Sequence, residues 1–363
     1  MSRSSRGAAS RVALLVVTNL GVLLLLLVLM EGCSSAVLLT YNVLKTPPLA
    51  ERLHTRYDAE LGWVNVPGVR IPDMYGEGIG LTTNQRGFRG AREVSDAVPA
   101  GRLRVICSGD SFTLGYGVGD DETWCARLEQ AGGIEAVNMG QGGYGLDQAY
   151  LWYLRDGVRL QHQVHILAFI TDDVRRMRFE RFISYPKPVL VPEGDSIRVA
   201  NVPVPRRSGF ITWLNRNAAS FGDLRMVQLT ARMAGRSAGA ARNPAVLDND
   251  EVRHVIAWLV KDLADRHAAA GRTLILVHLP TDYELRGAAP PQWQPFFGEL
   301  AAQLGIEYID LFPQFQSLPD STLAATFLRP GEVQFPSAAG HLTALGNDMV
   351  ARLLRPYLPV PPE

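Results

Sequence analysis

The sequence predicts an α/β chain: a three-layer α/β/α sandwich on a mostly parallel sheet, preceded by one transmembrane helix. Three observations carry that prediction. Apolar runs of strand length alternate with helical patterns after Gly101, the signature of a parallel sheet covered on both faces. An apolar stretch from Val12 to Met30 follows Arg3, Arg6 and Arg11. The 363 residues are 47% hydrophobic and 20% charged, enough to bury a core and too apolar for a disordered or collagen-like chain.

As a helix rising about 1.5 Å per residue, Val12–Met30 covers almost all of a hydrocarbon core of about 30 Å. The arginines ahead of it hold the tip in the cytoplasm and place everything after Glu31 outside. Two other fates compete with an uncleaved anchor. A cleaved signal peptide would show an A-x-A-like exit, which does not follow the run, and lipidation would require a lipobox before Cys33, which Met30-Glu31-Gly32 fits poorly. Residues 1–45 are therefore read as cytoplasmic tip and anchor. Residues 46–100, rich in Pro and Gly with no helical period, are read as an extended lead-in laid on the domain.

The domain proper is expected over 101–363. Its strands are Leu103–Cys107, Ile134–Asn138, Val164–Ile170, Thr273–Leu279 and Ile306–Leu311. Its clearest helix repeats Val252, Val255, Ile256, Leu259, Val260 and Leu263 on one face. Asp120, Asp121 and Glu122 read as the cap and first turn of a helix over WCARL. The stretch 181–244 breaks the rhythm with a hairpin around Pro192–Ser196, a helical piece and the low-complexity GRSAGAARNP. It is read as an insertion over one edge of the sheet.

Composition also excludes functions. Lys plus Arg and Asp plus Glu both number 36, so no basic field exists to hold nucleic acid. Three cysteines, Cys33, Cys107 and Cys125, are too few and too scattered for a zinc ribbon. Cys107 and Cys125 can meet across the first strand and the next helix, as buried thiols or as a disulfide. His162 and His165 have a metal-like spacing, but they flank a strand with alternate faces or solvent exposure, so no metal is expected. His278, in an apolar strand, reads as a hydrogen-bonded core histidine. Gly140 to Gly145 spells GxGxxG but follows the second strand, and no acid ends a strand about 20 residues later. No nucleotide or other cofactor is expected.

Chemistry concentrates at strand ends. GDSFTLGYGV (Gly109–Val118) follows the first strand, NMGQGGYG (Asn138–Gly145) the second and ITDDVRR (Ile170–Arg176) the third. Far downstream, His341 precedes an amphipathic helix. A strand-end Ser, backbone donors and a late His are the parts of acyl transfer.

In these blocks, and in their order, the chain resembles the SGNH/GDSL hydrolase superfamily. The lead-in DAELGWVNVPGVR…TTNQRGFRG is similar to its membrane-anchored bacterial members. The resemblance implies a flavodoxin-like sandwich with Ser111 as nucleophile and His341 as general base. It also implies an oxyanion site formed by the Ser111 amide, the Gly140 amide and the third-block position, with Asp110 and Asp173 as supporting acids. Two positions depart from the family pattern. Asp172 stands where an Asn side chain usually donates, and Ala338 and Ala339 stand where an acid usually orients the histidine. A backbone carbonyl or another acid would have to replace it, with Glu332 and Asp310 as the candidate acids. If Asp172 faces the reacting carbonyl, burial beside Asp173 raises its pKa; the competing expectation is that Arg175 or Arg176 neutralises it.

The resemblance thus implies a membrane-anchored, extracytoplasmic serine ester hydrolase or O-acyltransferase. Its partners would be an acyl-ester substrate, cell-surface polysaccharide included, and the membrane. The competing expectation is a degenerate, non-catalytic domain that binds glycan or a partner protein.

Overall fold

The computed structural model describes residues 3–45, 53–130, 132–183, 185–194, 196–206, 245–287 and 293–361. The chain divides into two compact units, one of Met1–Pro48 with Arg207–Arg242, the other of Leu49–Arg206 with Asn243–Glu363. In the first unit, α1 runs from Arg3 to Lys45. Its segment Arg11–Cys33 has a mean hydropathy of 2.9 and is long and apolar enough to cross a membrane. A span and a signal sequence both satisfy that description. The helical piece and GRSAGAARNP expected within 207–244 lie outside the described residues.

The second unit is organised by five parallel strands. These are β5 (Leu103–Gly109), β6 (Ile134–Gly140), β7 (Val164–Phe169), β12 (Thr273–His278) and β13 (Glu307–Asp310), ordered β13-β12-β7-β5-β6. Each coincides with an apolar run read from the sequence. The order is the flavodoxin-like one, with β5 flanked by the second and third strands, so its carboxyl end lies at the topological switch point.

Alternation along the strands splits the core in two. Ile106, Leu167, Leu274 and Leu276 face a cluster shared with Val252, Val255, Ile256 and Leu259 of α6 (Asn249–Ala269). Val105, Cys107, Ile166, Ile275 and Val277 face the opposite cluster, with Trp124 and Leu128 of α3 (Trp124–Glu129) and Val350 and Leu354 of α8 (Ala344–Leu354). That is the three-layer sandwich. Helix α6 starts on a reciprocal cap: Asp248 accepts from the Asp250 and Glu251 amides while Glu251 accepts from the Asp248 amide. Helix α3 starts on Thr123, which accepts from Ala126 at 3.2 Å. Asp120–Glu122 forms a separate 3₁₀ turn, not the first turn of that helix, because Asp120 is drawn to the Thr82 amide and Arg89.

The lead-in is more structured than its composition suggested. It forms two antiparallel hairpins, β1 (Thr55–Asp58) with β2 (Gly62–Asn65) and β3 (Arg70–Gly76) with β4 (Ile79–Thr82). Leu61, Trp63, Val64 and Phe88 join the cluster on the α6 side of the sheet. Arg89 bridges to Asn138 on the edge strand β6. Among the described residues of the insertion, two more hairpins follow, β8 (Arg181–Phe182) with β9 (Tyr185–Pro186) and β10 (Val189–Glu193) with β11 (Ser196–Ala200). The last is the hairpin expected around Pro192–Ser196. Val189 and Leu190 are buried in the cluster that contains α6, so this part covers a helical layer and does not extend the sheet edge.

Candidate active site

The site begins where β5 ends. A Cβ on Gly109 would lie 2.3 Å from Thr113 Oγ1 and 2.5 Å from the Ala168 carbonyl, so only glycine allows the chain to turn this tightly. Asp110 then caps the single-turn helix α2 (Ser111–Leu114), its Oδ1 accepting from the Phe112 amide at 2.8 Å. This puts Ser111 at the first helical position, where its own N–H has no intrahelical partner. Helix α2 packs against β6 through Gly140, whose Cβ, if present, would sit 2.1 Å from the Leu114 nitrogen. Arg89, buried, closes the other end of α2 by donating to the carbonyls of Leu114 (2.7 Å), Gly115 (2.6 Å) and Val118 (2.6 Å). The RGFRG string of the lead-in therefore positions the turn that carries Ser111.

His341 arrives from the far end of the chain. A 3₁₀ turn, Pro336–Ala338, and Gly340 at φ +81° bring it back over α2. Its ring stacks on Phe112 at 4.5 Å and lies 5.4 Å from the Tyr116 ring. Nε2 stands 2.7 Å from Ser111 Oγ, and Nδ1 stands 3.2 Å from the Ala338 carbonyl. A carbonyl can only accept, so Nδ1 carries the proton and Nε2 presents a lone pair to the Ser111 hydroxyl. Burial pushes the imidazole down to about 4, against the pull of the nearby Asp110 charge. At neutral pH the ring is an unprotonated base beside a hydroxyl, an arrangement that can take the hydroxyl proton during attack on a carbonyl.

Neither candidate acid orients His341. Glu332 accepts from the Arg329 amide of its own loop at 2.8 Å. Asp310 Oδ1 pairs with His278 Nδ1 at 3.1 Å and accepts from the Phe312 amide. The Ala338 carbonyl takes the place in which the family pattern has a carboxylate.

The third block supplies an ion-pair cluster. In α5 (Thr171–Arg176) the buried Asp173 accepts from the Ile170 amide at 3.1 Å and pairs with Arg176 at 2.6 Å. Arg176 also reaches Asp110 Oδ2 at 3.1 Å and the Tyr144 carbonyl at 2.8 Å. Burial and the Asp110 charge push the Asp173 carboxyl well above its ordinary range. Asp172 is different. Its carboxylate is gripped by Arg175 at 2.7 and 3.0 Å and reached by Arg176 at 3.4 Å. Its pKa is lowered, not raised as expected from burial beside Asp173: desolvation is outweighed by the two guanidinium groups. Gly140 also departs from expectation. Its N–H donates to Asn138 Oδ1 at 2.9 Å, so it is already spent within the β6 end.

The remaining candidates lie elsewhere. Of the two expectations for His162 and His165, alternate faces or solvent exposure, exposure is excluded: both are buried, with Tyr153 OH bridging His162 and His267 at 3.0 and 2.9 Å and His165 reaching Ser108 Oγ at 2.9 Å. Cys107 and Cys125 are buried with their sulfurs 2.7 Å apart, and burial beside Cys107 pushes the Cys125 thiol well up. Three residues of this site, Arg89, Phe112 and Tyr116, were not read from the sequence, and the backbone carbonyl it allowed for could not be assigned to Ala338. A backbone acceptor has no side-chain signature, and one arginine among many gives no sign that it will be buried.

No protein-family model matches this chain, and no curated protein matches it in sequence. Solved structures are similar in fold. One is a protein assigned to the lipolytic G-D-S-L family from Desulfitobacterium hafniense (15% identity, TM-score 0.40, 71% of this chain and 100% of that one). Another is a lipase/acylhydrolase from Enterococcus faecalis (12%, 0.39, 72% and 99%). A third is a catalytic mutant of an acetylxylan esterase from Geobacillus stearothermophilus (13%, 0.37, 71% and 94%).

Proposed function

We propose that this chain is a serine ester hydrolase of the SGNH/GDSL type. The observation that carries the reading is Ser111 Oγ at 2.7 Å from an unprotonated His341 Nε2, on the first residue of a helix. Ser111 attacks the ester carbonyl carbon, and its proton passes to His341 Nε2. The Ser111 N–H receives the developing oxyanion. Ala338 O holds the Nδ1 proton of the imidazolium, and the Asp110 carboxylate offsets its charge. Collapse breaks the C–O bond, and His341 returns the proton to the leaving alkoxide. Water, or a second alcohol in an O-acyltransferase, then repeats the sequence on the acyl-serine. In this reading Gly140 acts by its missing side chain, and Asp172 holds α5 through Arg175 and Arg176.

A serine-directed fluorophosphonate tests this directly. It should label the wild type on Ser111 and leave Ser111→Ala unlabelled, with short-chain ester hydrolysis lost and the melting temperature unchanged. Hydrolysis surviving in Ser111→Ala would sink the assignment. A folded wild type that no such probe labels favours the second reading, a non-catalytic domain that binds glycan or a partner protein; the absence of a carboxylate on His341 is the observation on its side.

We further propose that α1 is an uncleaved anchor with the second unit outside the cytoplasm, where acyl esters of cell-surface polysaccharide are available. Alkaline phosphatase fused after Thr46 should then be active in cells. An inactive fusion at normal expression overturns that topology.

A further inference from the structure

Beside the proposed nucleophile lies a small cavity of about 40 Å³. Its walls come from three parts of the chain: Thr55 of β1 and Trp63 of β2, Tyr116 and Gly142 next to the site, and Phe182, Ile183 and Tyr185 of the β8–β9 hairpin. The first wall is shared with the site. Tyr116 donates its N–H to the Ser111 carbonyl at 3.1 Å, and its ring lies 5.4 Å from His341. Gly142 stands in the loop whose first residue, Gln141, donates to the Gly109 carbonyl at 3.1 Å. The cavity therefore borders the turn that carries Ser111.

The lining is mostly aromatic and carries no charged residue. The only polar atom on the Trp63 ring is spent on the Gly142 carbonyl at 2.9 Å, which leaves the ring as an apolar face. Phe182 presses on the second-block loop so closely that a Cβ on Gly143 would sit 2.4 Å from its ring. Arg176, which pairs with Asp110, lies over the Phe182 ring, its guanidinium carbon 4.8 Å from the ring centre. The hairpin is held from the lead-in side too. Gly62, at φ +86°, packs so that a Cβ would lie 2.5 Å from the Pro186 carbonyl. Ile183, next in the hairpin, is held at φ +56° with 74% of its surface exposed. A β-branched residue resists that conformation by about 1–2 kcal/mol. Ile183 thus adds an apolar side chain at the edge of the cavity.

We propose that this cavity is the acyl pocket of the enzyme, that it takes an uncharged acyl group of two or three carbons, and that Phe182 sets the limit. This rests on Ser111 being the nucleophile. The size argument is direct. A dry cavity of about 150 Å³ holds benzene, and a water occupies about 30 Å³ of liquid. A space of 40 Å³ admits a methyl or ethyl group and excludes a hexanoyl chain without movement of the hairpin.

The test uses the full chain in detergent with p-nitrophenyl esters from acetate to octanoate, which share one leaving group. In the wild type, kcat/KM should fall at least about 10-fold between propionate and hexanoate, the scale on which pockets discriminate added methylenes. In Phe182→Ala the ratio of the hexanoate to the acetate value should rise by about that factor. Phe182→Leu, which keeps an apolar side chain beneath Arg176, should lie between them, and it serves as the reading if the alanine variant does not fold. A flat profile in the wild type overturns the pocket, as does an unchanged profile in the folded Phe182 variant. Both leave Ser111 as nucleophile if short-chain and long-chain fluorophosphonates label it equally. Failure of every probe to label Ser111 overturns the function reading and the acyl pocket together.

Discussion

Two histidines stand at the carboxyl end of this sheet, and their surroundings run opposite to what simple motif logic suggests. His278, at the end of β12, has a hydroxyl on one side, Thr171 Oγ1 at 3.3 Å, and a carboxylate on the other, Asp310 at 3.1 Å. Glu284 lies a further 3.8 Å from its Nε2. That is the full inventory of a hydroxyl–imidazole–carboxylate triad. Among the described residues, His341 hydrogen-bonds Ser111 and a backbone carbonyl. Yet His278 is 2% exposed, and although burial alone would lower its pKa, Asp310 and Glu284 raise it. His341 is half-buried, faces a helix-start serine, and is depressed to about 4. A carboxylate partner makes His278 easier to charge and ties β12, β13 and α5 together. Its absence leaves His341 neutral and available as a base. In the proposed mechanism, access and protonation state, more than the presence of an acid, separate the base from the structural histidine.

That contrast is sharpest under substitution. His341→Ala should reduce kcat/KM by at least about 10³-fold with little change in stability, because a general base acting with its nucleophile is lost. His278→Ala should do the reverse. It strands two carboxylates at the sheet end and should lower stability by about 3 kcal/mol, with kcat/KM within a few-fold at temperatures where the protein is folded. Urea unfolding and steady-state kinetics on both variants decide it; a 10³-fold activity loss in a folded His278→Ala would erase the distinction.

A second expectation concerns pH. The acid limb of kcat/KM should fall near pH 4, where His341 takes up its proton, and an acid limb at pH 6.5 or above would contradict the carbonyl-oriented, depressed imidazole. His278 should show the opposite sign, in stability. Its folded pKa lies above the unfolded value of about 6.5, so the stability it contributes is full below that pH and is lost as pH rises through the folded value. The stability gap between wild type and His278→Gln should therefore shrink from pH 6 to pH 9. A gap that widens would overturn the assignment.

The smallest effect is expected at Asp172. Its side chain is 40% exposed and paired with Arg175, so Asp172→Asn should cost no more than about 1 kcal/mol and should not raise ester hydrolysis. A several-fold gain in turnover at neutral pH would mean that the carboxylate faces the reacting carbonyl after all.

The sequence carried β5, β6, β7 and β12 because buried parallel strands must be short apolar runs, and it carried the half-exposed edge strand β13 through the apolar Ile309 and its neighbours. It carried α6 because a helix packed on one side repeats Val252, Val255, Ile256 and Leu259 at that spacing. It singled out Ser111 and His341 through the GDSF and GHLTALG blocks, and the fold brings those two side chains within 2.7 Å of each other. What it could not carry depends on who arrives from a distance. The Ala338 carbonyl became the partner of His341 through the path of one 3₁₀ turn. Asp310 was a plausible acid until β13 paired beside β12 and placed it on His278. Asp172 titrates downward because two arginines one helical turn away point at it, and the spacing allowed that geometry without requiring it. The aromatic cavity needs a lead-in hairpin and an inserted hairpin to close on the Gly142–Gly143 loop. Backbone acceptors, ion-pair choice and cavity shape are properties of packing between distant segments, and local residue patterns contain no term for them.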